Sequence, residues 1–129
     1  MLHRVIYASE AVGATGASTL SIAQILGVSE RNNRRADLTS CLMFHDGHIL
    51  QAMEGSRADL DRLLRVLLVD PRHTGMRILV DLPVSERLLD EPMSLYGDPS
   101  ALLSRVGLLC LSRVTAREAE ILLDFRKAA

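Results

Sequence analysis

Few side chains in this sequence could carry chemistry, and they are scattered along it. Gln51 lies between Ile49 and Met53. In a strand those three share one face, because side chains two apart point the same way. That face is apolar, and a buried amide without partners costs about 1–3 kcal/mol. Gln51 therefore needs hydrogen-bond partners from backbone, water, another side chain or a ligand edge. Tyr7 lies in a second apolar run, as a core residue with a satisfied hydroxyl or as such a partner. Asn32 and Asn33 carry amides that both donate and accept, and Asn also suits a helix C-cap. Arg72 and His73 are either ligand contacts or cations favoured near a helix end. His45 and His48 flank a turn three residues apart, with no third metal ligand in view, and read as solvent-exposed. The loop Gly13-Ala14-Thr15-Gly16 is the nearest thing to a phosphate cradle and holds no Arg, so an acylphosphatase-like hydrolase has little to stand on.

The elements that must position these groups follow from periodicity. Residues 2–8 read as a buried strand, followed by a Gly/Ala/Ser/Thr loop over residues 9–18. Residues 19–30 read as a helix whose apolar face includes Leu20, Ala23 and Leu26. Leu38 to Phe44 and Ile49 to Glu54 read as strands joined by a hairpin at Asp46-Gly47, a pair that tolerates the positive φ of a tight turn. Glu54-Gly55 reads as a strand end. Ser56 caps a helix with Leu60, Leu63, Leu64 and Leu67 at helical spacing, and Pro71 stops it. Met76 to Leu82 is a fourth strand, and a fifth, disturbed by Pro92, falls between Glu86 and Tyr96. Ala101 to Ser112 looks helical, and the capping box Thr115 to Glu118 starts a last helix.

The fold class is therefore α+β, a ferredoxin-like β-α-β-β-α-β core with a fifth strand and two C-terminal helices. The first two helices are expected on one face of the sheet and the C-terminal pair on the other. Residues 1–97 form the core and 98–129 a helical extension packed on the sheet.

At 129 residues the chain suits one domain. A net charge of −1 gives no basic footprint for nucleic acid. No apolar run spans a bilayer, and the first residues lack the layout of a signal peptide. Cys41 and Cys110, in apolar runs and without a CxxC, read as reduced core thiols of a cytoplasmic protein.

Four stretches together resemble the BLUF family, flavin-holding sensors of blue light. They are Arg4-Val5-Ile6-Tyr7-Ala8-Ser9, residues 29–35 with Leu38-Thr39, Asp46-Gly47 leading to residues 49–55, and Asp70-Pro71-Arg72-His73. The resemblance covers residues 2–96. It implies FAD held non-covalently between the first two helices, with Tyr7, Asn32, Asn33, Gln51, Arg72 and His73 on the cofactor side. It also implies a photoswitch: light makes the flavin an oxidant, Tyr7 gives up an electron and a proton, and on recombination the Gln51 amide is left rotated or tautomerised.

On this reading the chain is no enzyme. Its length leaves no room for an output domain, so the signal passes to a separate protein or through self-association. The alternative is a BLUF-derived interaction module that has lost flavin. The sequence has Asp37-Leu38-Thr39-Ser40 where the family usually has Gly-Ile-Thr-Gly, and no Trp in the fifth strand.

Overall fold

A computed structural model describes residues 1–12 and 31–126. The helix expected over residues 19–30 and most of the loop before it lie outside the described residues. Among these, the strands are β1 (Leu2–Ala11), β2 (Thr39–His45), β3 (His48–Ser56), β4 (His73–Val84) and β5 (Ser94–Leu95). The helices are α1 (Arg57–Leu68), α2 (Pro99–Arg105) and α3 (Ala116–Asp124), with a 3-10 turn at Leu111–Arg113. The sheet order is β4-β1-β3-β2-β5. All neighbours are antiparallel except β2 and β5, which run parallel.

Alternation along the strands divides the apolar residues between two faces. Val5, Leu42, Ile49 and Met53 pack with Leu60 of α1, flanked by Leu63, Leu64 and Leu67. Ile6, Ala8, Cys41, Met43, Leu50 and Ala52 pack against Leu102 and Leu103 of α2 and Leu122 and Leu123 of α3. Asp46 and Gly47 both take positive φ (48° and 75°), as the tight hairpin requires. Ser56 Oγ accepts from the Asp59 N–H at the start of α1, and Thr115 and Glu118 form the expected capping box of α3.

Several expectations need correction. Residues 31–35, beyond the end expected for the first helix at residue 30, are helical. The helix expected over residues 101–112 stops at Arg105, because the chain turns at Gly107 with φ 77°. β5 is two residues long, since Pro92 has no N–H for a ladder. α1 ends at Leu68, so Arg72 lies in the following turn and His73 opens β4. Cys41 is a buried thiol, but Cys110 is half-exposed and hydrogen-bonded to Ser112. His45 and His48 are half-buried and pair across the hairpin.

Glu54 is not a frayed strand end. It is fully buried inside β3, 2.8 Å from Arg4 of β1. It also accepts from the backbone N–H groups of Leu88 and Leu89. Arg87 beside them donates to Thr39 Oγ1, Glu54 O and Asp37 O. The chain after β4 is thereby clamped to β2 and β3.

Candidate functional site

Tyr7 and Gln51 face each other across the β1–β3 ladder, and Leu42 faces Gln51 from β2. All three lie on the α1 side of the sheet, Tyr7 2% and Gln51 5% exposed. The Tyr7 hydroxyl donates to Gln51 Oε1 at 2.5 Å. A register slip in the β1–β4 pairing falls between Ile6 and Tyr7, the kind of local irregularity that re-aims side chains beside functional sites. Burial pushes the Tyr7 phenol well above its ordinary pKa; the Asp70 charge adds to this and Arg72 opposes it.

Asn33 is 2% exposed. Its Nδ2 donates to Ser40 Oγ at 3.1 Å and to the Pro92 carbonyl at 2.8 Å. These two bonds engage the amide nitrogen, and Oδ1 is the acceptor of the pair. Gln51 is the converse. Its carbonyl is taken by Tyr7, so its amino group is what it offers.

His73 is held from both ring nitrogens, Nδ1 2.8 Å from Ser9 Oγ and Nε2 2.6 Å from the Leu67 carbonyl. Its ring centroid lies 6.0 Å from that of Tyr7. Arg72 forms a two-point pair with Asp70, Nε to Oδ1 at 2.9 Å and Nη2 to Oδ2 at 2.5 Å. The Arg72 guanidinium holds the Asp70 carboxyl below its usual range.

These side chains line one pocket. Its polar groups are Tyr7, Asn33, Gln51, Asp70, Arg72 and His73, and its apolar walls include Leu42, Phe44, Ile49, Leu63, Leu67 and Met93. Its empty space is about 560 Å³, open solvent at its mouth included. Five of the six residues singled out in the sequence are brought together here. Asn32 is not: it is exposed and lines a neighbouring groove with Ala36, Asp59 and Arg62. Sequence reasoning missed Ser40, the Pro92 carbonyl and Met93. Ser and a backbone carbonyl carry no chemical signal in a sequence. Among the described residues no cluster of three or more His, Cys, Asp or Glu is placed to hold a metal. No helix among them is long and apolar enough to cross a membrane.

The donor set fits a flavin. The pyrimidine edge of that ring alternates carbonyl acceptors with an N–H donor; Gln51 offers N–H groups and Asn33 an oxygen, between apolar walls suited to a flat ring. Fold and site together define a ferredoxin-like domain with an apolar pocket edged by amide, phenol and charged groups. The chain belongs to the BLUF family, sensors of blue light using FAD, whose model matches residues 2–93.

It is 30% identical over 87 residues to a photoactivated adenylate cyclase subunit beta-like protein of Euglena gracilis, covering 67% of this chain and 10% of that protein. It is 28% identical over 76 residues to the blue light- and temperature-regulated antirepressor BluF of Escherichia coli K12, covering 58% of this chain and 19% of that protein. Among solved structures it is similar to BlrB, a BLUF protein in its dark state, at 26% identity and TM-score 0.75, over 95% of this chain and 96% of that one. The chain thus spans between a tenth and a fifth of the two curated relatives.

Proposed function

We propose that this chain is a blue-light sensor that holds FAD non-covalently in the Tyr7–Gln51 pocket and signals to a protein partner. The observation that carries this is the buried 2.5 Å hydrogen bond from Tyr7 to Gln51 Oε1, set in the wall of an apolar pocket. Bound there, a flavin supplies a blue-light-excited oxidant. Asn33 Oδ1 would accept from the ring N–H, and Gln51 Nε2 would donate to the adjacent carbonyl. Leu63 and Leu67 of α1 would cover the ring and keep water out. Arg72, Asp70 and His73 would close the end of the pocket at the start of β4, and Asn32 would lie beside it.

The chain's own part of the switch follows from the two amide orientations. Before light, Tyr7 holds its proton, because burial raises its pKa. It donates to Oε1, and Nε2 is the donor offered to the ligand. The phenolic proton has a short path to Oε1 along this bond. A half-turn of the Gln51 amide exchanges Nε2 and Oε1. Tyr7 then accepts instead of donating, and the ligand edge meets a different partner. The same side chains thus offer two hydrogen-bond arrangements, which makes this a bistable element that light would bias. No substrate bond is made or broken.

The cyclase-subunit-like and antirepressor relatives support an output through protein contacts. The test is the visible spectrum of protein purified with FAD and, separately, FMN available, in darkness and after blue light. A bound flavin whose absorption shifts red and recovers in the dark supports the sensor, and the two preparations separate FAD from FMN. Protein that takes up neither flavin would overturn it and leave an interaction module.

A further inference from the structure

We propose that His73 is a latch: its bond to the Leu67 carbonyl fastens the last turn of α1 over the pocket and so sets how fast flavin enters and leaves. This rests on the flavin reading above. It makes His73 a positioning residue that acts through α1 and not by touching the flavin. Both ring nitrogens are taken by the protein itself, Nδ1 by Ser9 Oγ at 2.8 Å and Nε2 by Leu67 O at 2.6 Å. A carbonyl only accepts, so Nε2 carries a hydrogen and donates it. Neither nitrogen is left over for a ligand.

The bond joins two elements on opposite sides of the pocket. His73 opens β4 and pairs with Ala11 of β1, while Leu67 lies in the last turn of α1. Leu63 and Leu67 form the helical wall of the pocket, and Leu42, Ile49 and Gln51 belong to its sheet wall. The two ends of α1 are held differently. At its start the chain comes directly from β3, Ser56 caps the helix, and Arg57 reaches Asp81 of β4 at 2.6 Å. At its end Val66, Leu68 and Val69 are exposed, so among the described residues the outer side gives the turn little hold. The last carbonyls of a helix have no partner within it. The Val69 and Asp70 N–H groups reach Leu67 O, but both belong to the turn itself. The His73 bond is the one of the three that ties the turn to the sheet. The wall carrying Leu63 and Leu67 is therefore hinged at the Arg57 end and fastened at the His73 end. Releasing one bond frees the last turn to open locally.

The experiment measures FAD entry and release in darkness, each followed by flavin fluorescence, after mixing flavin-free protein with FAD and after diluting the loaded protein. Two variants separate the bond from the ring, whose centroid lies 6.0 Å from that of Tyr7. His73→Gln keeps a side-chain N–H with the reach of Nε2 but has no ring. His73→Phe keeps a ring but has no N–H. In His73→Phe entry and release should both speed up about tenfold, the worth of one hydrogen bond. Affinity should then change less than about threefold, because a latch favours the closed state of empty and loaded protein alike. His73→Gln should restore both rates to within about threefold of the unaltered protein. Should His73→Phe not fold, His73→Asn, whose amide is too short to reach Leu67 O, takes its place with the same expectation. Rates in His73→Gln as fast as in His73→Phe would overturn the proposal, since the ring and not the bond would then matter. So would unchanged rates in His73→Phe. Faster release with unchanged entry would also overturn it, because affinity lost in that way marks a lost ligand contact or a damaged pocket. These outcomes leave the sensor reading in place, whereas unaltered protein that takes up no flavin would overturn both.

Discussion

The Tyr7 hydroxyl and the Gln51 amide are each a poor choice for a sealed apolar core and a good choice for each other. Tyr7→Phe removes the donor to Oε1 and leaves the ring, so the fold should persist at a cost of about 1–2 kcal/mol. Flavin should still bind, and the light-induced shift should vanish, as a difference spectrum and a thermal melt would record. This pair was legible in the sequence because an amide on an apolar strand face demands an explanation. Asn33 was legible in type, but its partners were not. They come from Ser40, seven residues on, and from a carbonyl 59 residues on. The burial of Glu54 was illegible for the same reason. A carboxylate beside a glycine reads as a strand end, and only the assembled sheet supplies Arg4 and the Leu88 and Leu89 amides.

Among the elements, β3 carries most of the design. It holds Gln51 on one face and Glu54 on the other, and Gly55 lets it approach the chain entering β2. A Cβ at Gly55 would collide with the tip of the buried Leu38 side chain, which would have to swing aside. Gly55→Ala should therefore destabilise the protein modestly, by about 1 kcal/mol, measurable by chemical denaturation. Glu54→Ala should be worse, about 3 kcal/mol or more, because Arg4 loses its partner and two backbone N–H groups lose their acceptor. It should also loosen residues 86–89 in hydrogen exchange before the rest of the sheet. Strand and helix existence was readable from period alone, most clearly for β1, the β2–β3 hairpin, α1 and α3. Boundaries were not. Gly107 breaks an apolar helical pattern by adopting a left-handed conformation that the pattern does not encode. Pro92 reduces β5 to two residues yet contributes its carbonyl to the site, a role the sequence reading counted only as disruption.

For the whole molecule, the sheet is one partition between two cores, and each contains a buried tyrosine. Burial raises the pKa of both Tyr7 and Tyr96. In the unfolded chain these phenols ionise near pH 10. Above that pH the unfolded state loses protons that the folded state retains, so stability is fully present below about pH 10 and falls as pH rises. Asp70 works in the opposite direction. Its folded pKa is depressed by Arg72, so its contribution is present above about pH 4 and is lost as pH falls through the folded value. A stability profile from equilibrium denaturation should therefore decline above about pH 10 through the tyrosines and below about pH 4 through Asp70. Tyr96→Phe should weaken the alkaline decline, and since the Tyr96 hydroxyl has no hydrogen-bond partner among the described residues, this variant should fold at least as stably as the unaltered protein.

The central claim is that the Tyr7–Gln51 pair is a light-operated hydrogen-bond switch acting on a flavin. It is tested most directly by the light-minus-dark absorption difference of the flavin-loaded protein beside its Gln51→Leu variant. The account predicts a red-shifted difference that decays in darkness for the unaltered protein, and a flavin that stays bound without a shift when Gln51 is replaced. A red shift that survives the loss of the Gln51 amide would contradict it.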